Sequence, residues 1–202
     1  MILLLPDFVG HPGCFQALLP HLPPQAVSIN YHALAQETHF PALAAQIAGQ
    51  LAEAPAWIIG YSFGGALGYE LCRHFFPACR LVMVDSHLPW PALRETPADE
   101  QYQRWLTPET RDWIALMQEL GEISLPVILN NIRLFSYWQP QPALEHAWWI
   151  RCDGEAFHAS PDWQPLIRRV QCVETSARHH EVMKAPGVIS YLTQLTQEVT
   201  LP

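Results

Sequence analysis

At 202 residues, half of them hydrophobic and only 15% charged, the chain has the size and composition of one globular domain, not of a disordered segment or of two domains. Its net charge of −8 and the absence of any long Lys/Arg run argue against a nucleic-acid partner, because phosphate binding needs a basic surface. The apolar opening Met1–Pro6 is too short for a signal peptide or a membrane span and reads as a buried strand, so no membrane association is expected. Five cysteines (Cys14, Cys72, Cys79, Cys152, Cys172) form no CxxC pair, and their odd number points to reduced thiols, a cytoplasmic setting and no structural zinc or other metal.

Short apolar runs alternate with helical patterns for most of the length. Strands are expected at Ile2–Pro6, Ala26–Asn30, Ala56–Gly60, Arg80–Asp85, Ala147–Cys152 and Val170–Glu174, each a near-continuous apolar run bounded by turn residues. Between them, Leu43, Ile47 and Leu51 recur at helical spacing after Pro41, and Ser62–Phe76 reads as a helix opening in a Gly-rich turn. A last amphipathic helix runs from Pro186 to Val199. Strand–helix alternation of this kind implies a mostly parallel sheet flanked by helices. The stretch from about residue 88 to 138 breaks the rhythm: it lacks a good strand and is dense in Pro, Trp and Tyr. Within it Thr107-Pro108 resembles a cap and first turn, Trp113, Leu116, Met117 and Leu120 share a face, and Gly121 ends the helix. This segment is expected to be a helical insertion above the sheet, placed to act as a lid.

The chemistry is concentrated in Gly60-Tyr61-Ser62-Phe63-Gly64, followed by Gly65. The motif follows the strand Trp57-Ile58-Ile59 and opens a helix, which is the context a nucleophile elbow requires. Glycines suit it because a side chain in so sharp a turn would collide with the neighbouring strand and helix. Its plain alternative is a Gly-rich strand-to-helix turn without chemistry. Read as an elbow, it makes the chain a serine hydrolase of the α/β-hydrolase fold with Ser62 as nucleophile. The base and its orienting acid should follow in the order acid, then histidine. Asp85 ends the next strand and is the preferred acid; Asp153 and Glu155, after Trp148-Trp149-Ile150, are the alternatives. The late histidines His179 and His180 precede the last helix, and since adjacent side chains diverge, at most one of them faces Ser62.

These residues resemble the thioesterase domains that release products from nonribosomal peptide and polyketide synthases. Leu3-Leu4-Leu5-Pro6-Asp7-Phe8-Val9-Gly10 looks like the family's first strand and oxyanion loop, with Asp7 where relatives usually carry a second Pro. Gly60–Gly65 has the form common in domains fused to synthases, Leu81-Val82-Met83-Val84-Asp85-Ser86 is similar to the strand bearing the catalytic Asp, and His180-Glu181-Val182-Met183 fits a His-x-x-Met signature that selects His180 as the base. The resemblance implies an acyl-enzyme on Ser62, an oxyanion hole from the backbone N–H groups of Phe63 and Phe8, and Asp85 and His180 completing the triad. It also implies an acyl or peptidyl carrier protein as partner, delivering the chain on its phosphopantetheine arm, with no metal or diffusible cofactor. Release would follow by hydrolysis or by cyclisation. Trp90, Trp105, Trp113, Phe135, Tyr137 and Trp138 are the candidates to wall the acyl channel. Two other readings remain: a carboxylesterase acting on small esters, which would use the same triad, and a catalytically silent hydrolase-fold binding protein.

Overall fold

The computed structural model describes residues 1–152 and 162–197. The strands are β1 (Ile2–Leu5), β2 (Ala26–Ser28), β3 (Trp57–Tyr61), β4 (Arg80–Val84), β5 (Leu144–Cys152) and β6 (Ile167–Thr175). They form a six-stranded sheet in the order β2-β1-β3-β4-β5-β6, and every pairing is parallel. Around it lie α1 (Phe40–Gln50), α2 (Phe63–His74) and α7 (Pro186–Gln197), while α3 (Ala92–Glu95), α4 (Ala98–Trp105), α5 (Pro108–Glu119) and α6 (Leu125–Tyr137) fill the connection from β4 to β5.

Strand alternation splits the core in two. Leu3, Leu5, Ile58, Leu81 and Met83 face one side of the sheet and pack with α1 and α2 through Phe40, Leu43, Ile47, Leu67 and Tyr69. Ile2, Leu4, Trp57, Ile59, Val82 and Val84 face the other side and pack with α7 through Val188, Leu192 and Leu195. A sheet covered on both faces explains why the central strands read as unbroken apolar runs. The outer pair behaves differently. β5 and β6 each begin three residues before the expected boundary, because Leu144-Glu145-His146 and Ile167-Arg168-Arg169 are half-solvated and lack the apolar run, yet they stay in register from Leu144↔Ile167 to Cys152↔Thr175.

The helical segment between β4 and β5 has a small core of its own, built on Tyr102, Ile114, Ile123, Ile128 and Ile132 with Val9 from the loop after β1. In α5 the Thr107 hydroxyl accepts from the Thr110 N–H and Gly121 lies just past the end with φ +74°, as the sequence suggests. The buried face is not the expected one, however. Ile114 is inside, whereas Trp113, Leu116 and Leu120 remain exposed. Among the described residues, no helix is long and apolar enough to cross a membrane.

Candidate active site

In a parallel sheet the strand order reverses where two connections leave in opposite directions, and the crevice there opens at the carboxyl ends of the strands. Here the reversal lies between β1 and β3. It sets the loop Pro6–Gly10 beside Ser62, while β4 and β5 end alongside with Asp85 and Cys152.

Ser62 stands between β3 and α2 with φ 53° and ψ −118°, a backbone conformation that a side-chain-bearing residue adopts only under constraint. Its N–H donates to the Val84 carbonyl at 2.8 Å, extending the ladder one residue beyond the strand. The constraint comes from close approach. A Cβ on Gly64 would strike the Leu5 carbonyl oxygen, and one on Gly60 would strike the backbone of Gly64. Phe63 opens α2, so its N–H is among those a helix start leaves without an intrahelical partner.

Asp85 follows β4 in the left-handed region, with φ 45°, and its N–H donates to the Ile150 carbonyl at 2.7 Å. The carboxylate is almost fully buried and surrounded by donors. Oδ1 accepts the Cys152 N–H at 3.0 Å, Oδ2 lies 2.6 Å from His179 Nδ1, and His87 Nε2 is 3.4 Å from Oδ1. Burial alone would raise its pKa, but the hydrogen bonds and charges of His179 and His87 outweigh it and hold Asp85 well below the usual carboxylate range. Asp85 is therefore ionised at neutral pH. Burial in turn lowers the His87 pKa, against the opposing pull of Asp85.

The expectation that His180 meets the acid is corrected by the structure: His179 does. The Tyr61 hydroxyl donates to the His179 carbonyl at 2.8 Å, and the two rings lie 5.1 Å apart, which sets the histidine facing the sheet edge. The 3-10 turn His179–Lys184 buries Val182 and Met183 beneath it. The next side chain diverges, leaving His180 Nε2 at 3.9 Å from Glu181 on the more exposed side. The match to His-x-x-Met weighs only the distance to Met183 along the chain, whereas the clamp comes from Tyr61, on a different strand. Asp153 and Glu155, the alternative acids, lie outside the described residues.

An apolar cavity of about 210 Å³ is lined by Ser62, His179, His180, His87, Phe8, Phe63, Trp90, Trp105, Ile132 and Phe135, together with Arg104 and Thr107. Of the aromatic residues expected to wall an acyl channel, Trp90, Trp105 and Phe135 line this cavity. Trp113 does not. It packs on His11 and borders a second, more polar cavity of about 580 Å³, which also touches His180 and Thr107. Tyr137 and Trp138 are elsewhere again, around a groove beside Glu70, where the Trp138 indole N–H donates to the buried Glu70 carboxylate at 2.9 Å. That carboxylate explains why an aromatic of the helical segment is drawn into the main core instead of the cavity.

Tyr61, His87 and Asp7 were not singled out from the sequence as parts of this site. Asp7 is the one a sequence signal could have found, because an acid stands where relatives have proline. Burial pushes its carboxyl up to about 6, against the opposing charge of His179 and the N–H groups of Val9 and Gly10. Among the described residues, no three His, Cys, Asp or Glu side chains are grouped as metal ligands would be.

The fold has clear counterparts among solved structures. A four-domain nonribosomal peptide synthetase bound to AMP and glycine aligns with TM-score 0.72 and 21% identity over 100% of this chain, which spans only 20% of that longer chain. RedJ, a thioesterase from the prodiginine pathway of Streptomyces coelicolor, aligns with TM-score 0.66 and 16% identity over 98% of this chain and 85% of its own. A lipase-esterase related protein from Clostridium acetobutylicum aligns with TM-score 0.69 and 13% identity over 96% of this chain and 93% of its own. No curated protein matches the chain. The parallel sheet, the elbow at Ser62 and these likenesses identify an α/β-hydrolase fold. The family model described as Thioesterase domain matches residues 1–190, and the chain belongs to that family.

Proposed function

We propose that the chain releases an acyl, peptidyl or polyketide chain from the phosphopantetheine arm of a carrier protein, through an acyl-enzyme on Ser62. The reading rests above all on His179, which is paired with Asp85 and lines one cavity with a serine held on a strained elbow. The likeness to a nonribosomal peptide synthetase and to a prodiginine-pathway thioesterase favours a carrier-bound substrate.

In this mechanism His179 takes the Ser62 proton as the hydroxyl oxygen attacks the thioester carbonyl carbon. The Phe63 and Phe8 N–H groups stabilise the negative oxygen, an effect worth about 3–4 kcal/mol per donor. Collapse of the intermediate breaks the C–S bond, and the departing thiolate receives the proton from His179. Water, or an internal amine or hydroxyl, then attacks the ester carbonyl. His179 accepts the attacking group's proton and returns it to Ser62. Asp85, ionised throughout, fixes the imidazole with Nδ1–H toward itself and stabilises the imidazolium between proton transfers. No step calls for a metal or a diffusible cofactor. The helices α3–α6 act as the lid, and the aromatic lining of the chamber selects an apolar acyl group.

A second reading, an esterase acting on free oxygen esters, is favoured by the likeness to the lipase-esterase related protein. Turnover of acyl N-acetylcysteamine thioesters against matched oxygen esters, with Ser62→Ala as control, separates the two. A Ser62-dependent thioester preference is expected; faster oxygen-ester turnover would replace the carrier-release reading with the esterase one.

A further inference from the structure

The loop after β1 is held by a network that reaches into the helical segment. The Pro6 carbonyl accepts from the Tyr31 hydroxyl at 3.0 Å, the Asp7 carbonyl from the Gly10 N–H at 3.0 Å, and the Gly10 carbonyl from the Tyr31 N–H at 2.9 Å. The two carbonyls between them are bonded from elsewhere. Asn131 Nδ2, on α6, donates to the Phe8 carbonyl at 3.0 Å, and His32 Nε2 meets the Val9 carbonyl at 2.8 Å. His32 is itself tied to α6, because its Nδ1 accepts from the N–H of Ser124, the residue that caps that helix, at 3.1 Å. That pattern requires a neutral ring carrying its proton on Nε2, and burial, lowering the His32 pKa, favours the neutral form.

Asn131 is a costly residue to place where it is. It is 3% exposed, on an α6 face otherwise made of Ile128, Ile132 and Phe135, and an amide buried there must be hydrogen-bonded. Its Nδ2 donor is used on the loop. Together with Asp7 Oδ1, which accepts the Val9 N–H at 3.0 Å, it grips the Phe8–Val9 peptide by both its oxygen and its hydrogen. The residue after Asn131, Ile132, lines the chamber with Ser62, as does Phe135 one turn further on.

We propose that Asn131 is a positioning residue for catalysis: it fixes the loop that presents the Phe8 N–H to the oxyanion, and it makes that loop move with α6, the helix on which the acyl group packs. Resting on the Ser62 reading above, the inference adds to it a coupling between acyl-chain seating and the oxyanion hole. A substrate that fits against Ile132 and Phe135 holds α6 and hence the donor in place; one that displaces α6 pulls the donor away. The acyl group is thus selected in kcat as well as in binding.

The test uses Asn131→Leu and the smaller Asn131→Ala, the latter chosen to fold even if the former does not, since it removes the donor without adding volume or burying a charge. Thioester kcat should fall about 10- to 100-fold, a share of what losing an oxyanion donor outright costs, with KM within about twofold of wild type. Amide hydrogen exchange over residues 6–10 should quicken at least about tenfold, while the strand amides of β3 and β4 stay protected. Unchanged loop exchange in a folded variant overturns the tether, and quickened exchange with kcat intact overturns its role in catalysis. Failure of the underlying reading looks different, as wild-type turnover that Ser62→Ala does not reduce; the exchange measurement still decides the tether in that case.

Discussion

The imidazole of His179 and the carboxylate of Asp85, 94 residues apart in the chain, meet at 2.6 Å, and Tyr61 holds the same histidine by its main-chain carbonyl at 2.8 Å. In the proposed mechanism this makes His179 the base and leaves His180 at the rim. His179→Ala should lower kcat by about 10⁴-fold or more, as removal of a triad member does elsewhere, and His180→Ala by less than about tenfold. Steady-state kinetics of the two variants side by side check the assignment; the reverse order would restore His180.

Tyr61→Phe separates the clamp from the chemistry. The phenyl ring keeps its packing against His179 but loses the 2.8 Å hydrogen bond to the carbonyl. Stability should drop by about 1 kcal/mol, the net worth of one such bond, and kcat should fall several-fold as the imidazole loses its alignment. Chemical denaturation paired with kcat measures both.

The elbow tolerates no side chain at Gly64, where a Cβ would meet the Leu5 carbonyl oxygen. Backbone cannot yield as a flexible side chain can, so Gly64→Ala should destabilise the fold by about 3 kcal/mol or more, at the upper end of overpacking costs. A thermal melt of the variant, scored against Gly49→Ala, whose added Cβ meets nothing within 4 Å, provides the comparison.

Asp7 should leave a signature in stability against pH. Its folded pKa of about 6 lies above the 3.8 of a free carboxyl, so between those values the folded state keeps a proton that the unfolded state has lost. Stability from this group therefore falls as pH rises from about 4 to about 6 and stays reduced above. Asp7→Asn keeps an oxygen to accept the Val9 N–H and removes the charge. Urea midpoints at pH 4.5 and 7.5 should show the variant gaining on wild type at the higher pH; an equal difference at both would contradict it.

Most of the architecture is legible in the sequence because the central strands are buried on both faces, and apolar runs such as Leu3-Leu4-Leu5 and Leu81-Val82-Met83-Val84 admit little else. The starts of β5 and β6 are not, since an outer strand with solvated residues carries no such run. At the site, the placement of Ser62 and Asp85 just past the ends of β3 and β4 can be read from the sequence. The choice between His179 and His180 cannot, because it is made by a hydroxyl on β3, and local spacing contains no trace of a contact 118 residues away. The helical segment shows the same limit. Helical periodicity marks Trp113, Leu116 and Leu120 as one face, but which face is buried depends on what the loop after β1 offers, and it offers Val9 beside Ile114. Trp138 is drawn away from the cavity by Glu70, a buried carboxylate that the sequence shows only as a charged residue within α2.

The central claim, an acyl-enzyme on Ser62, is tested most directly by acid-quenching the enzyme during turnover of an acyl N-acetylcysteamine thioester and weighing the intact protein, followed by peptide mapping. The account predicts one added acyl group, carried by the peptide containing Ser62 and absent from Ser62→Ala. Turnover that proceeds with no adduct at any quench time, or an adduct that survives in Ser62→Ala, would contradict it.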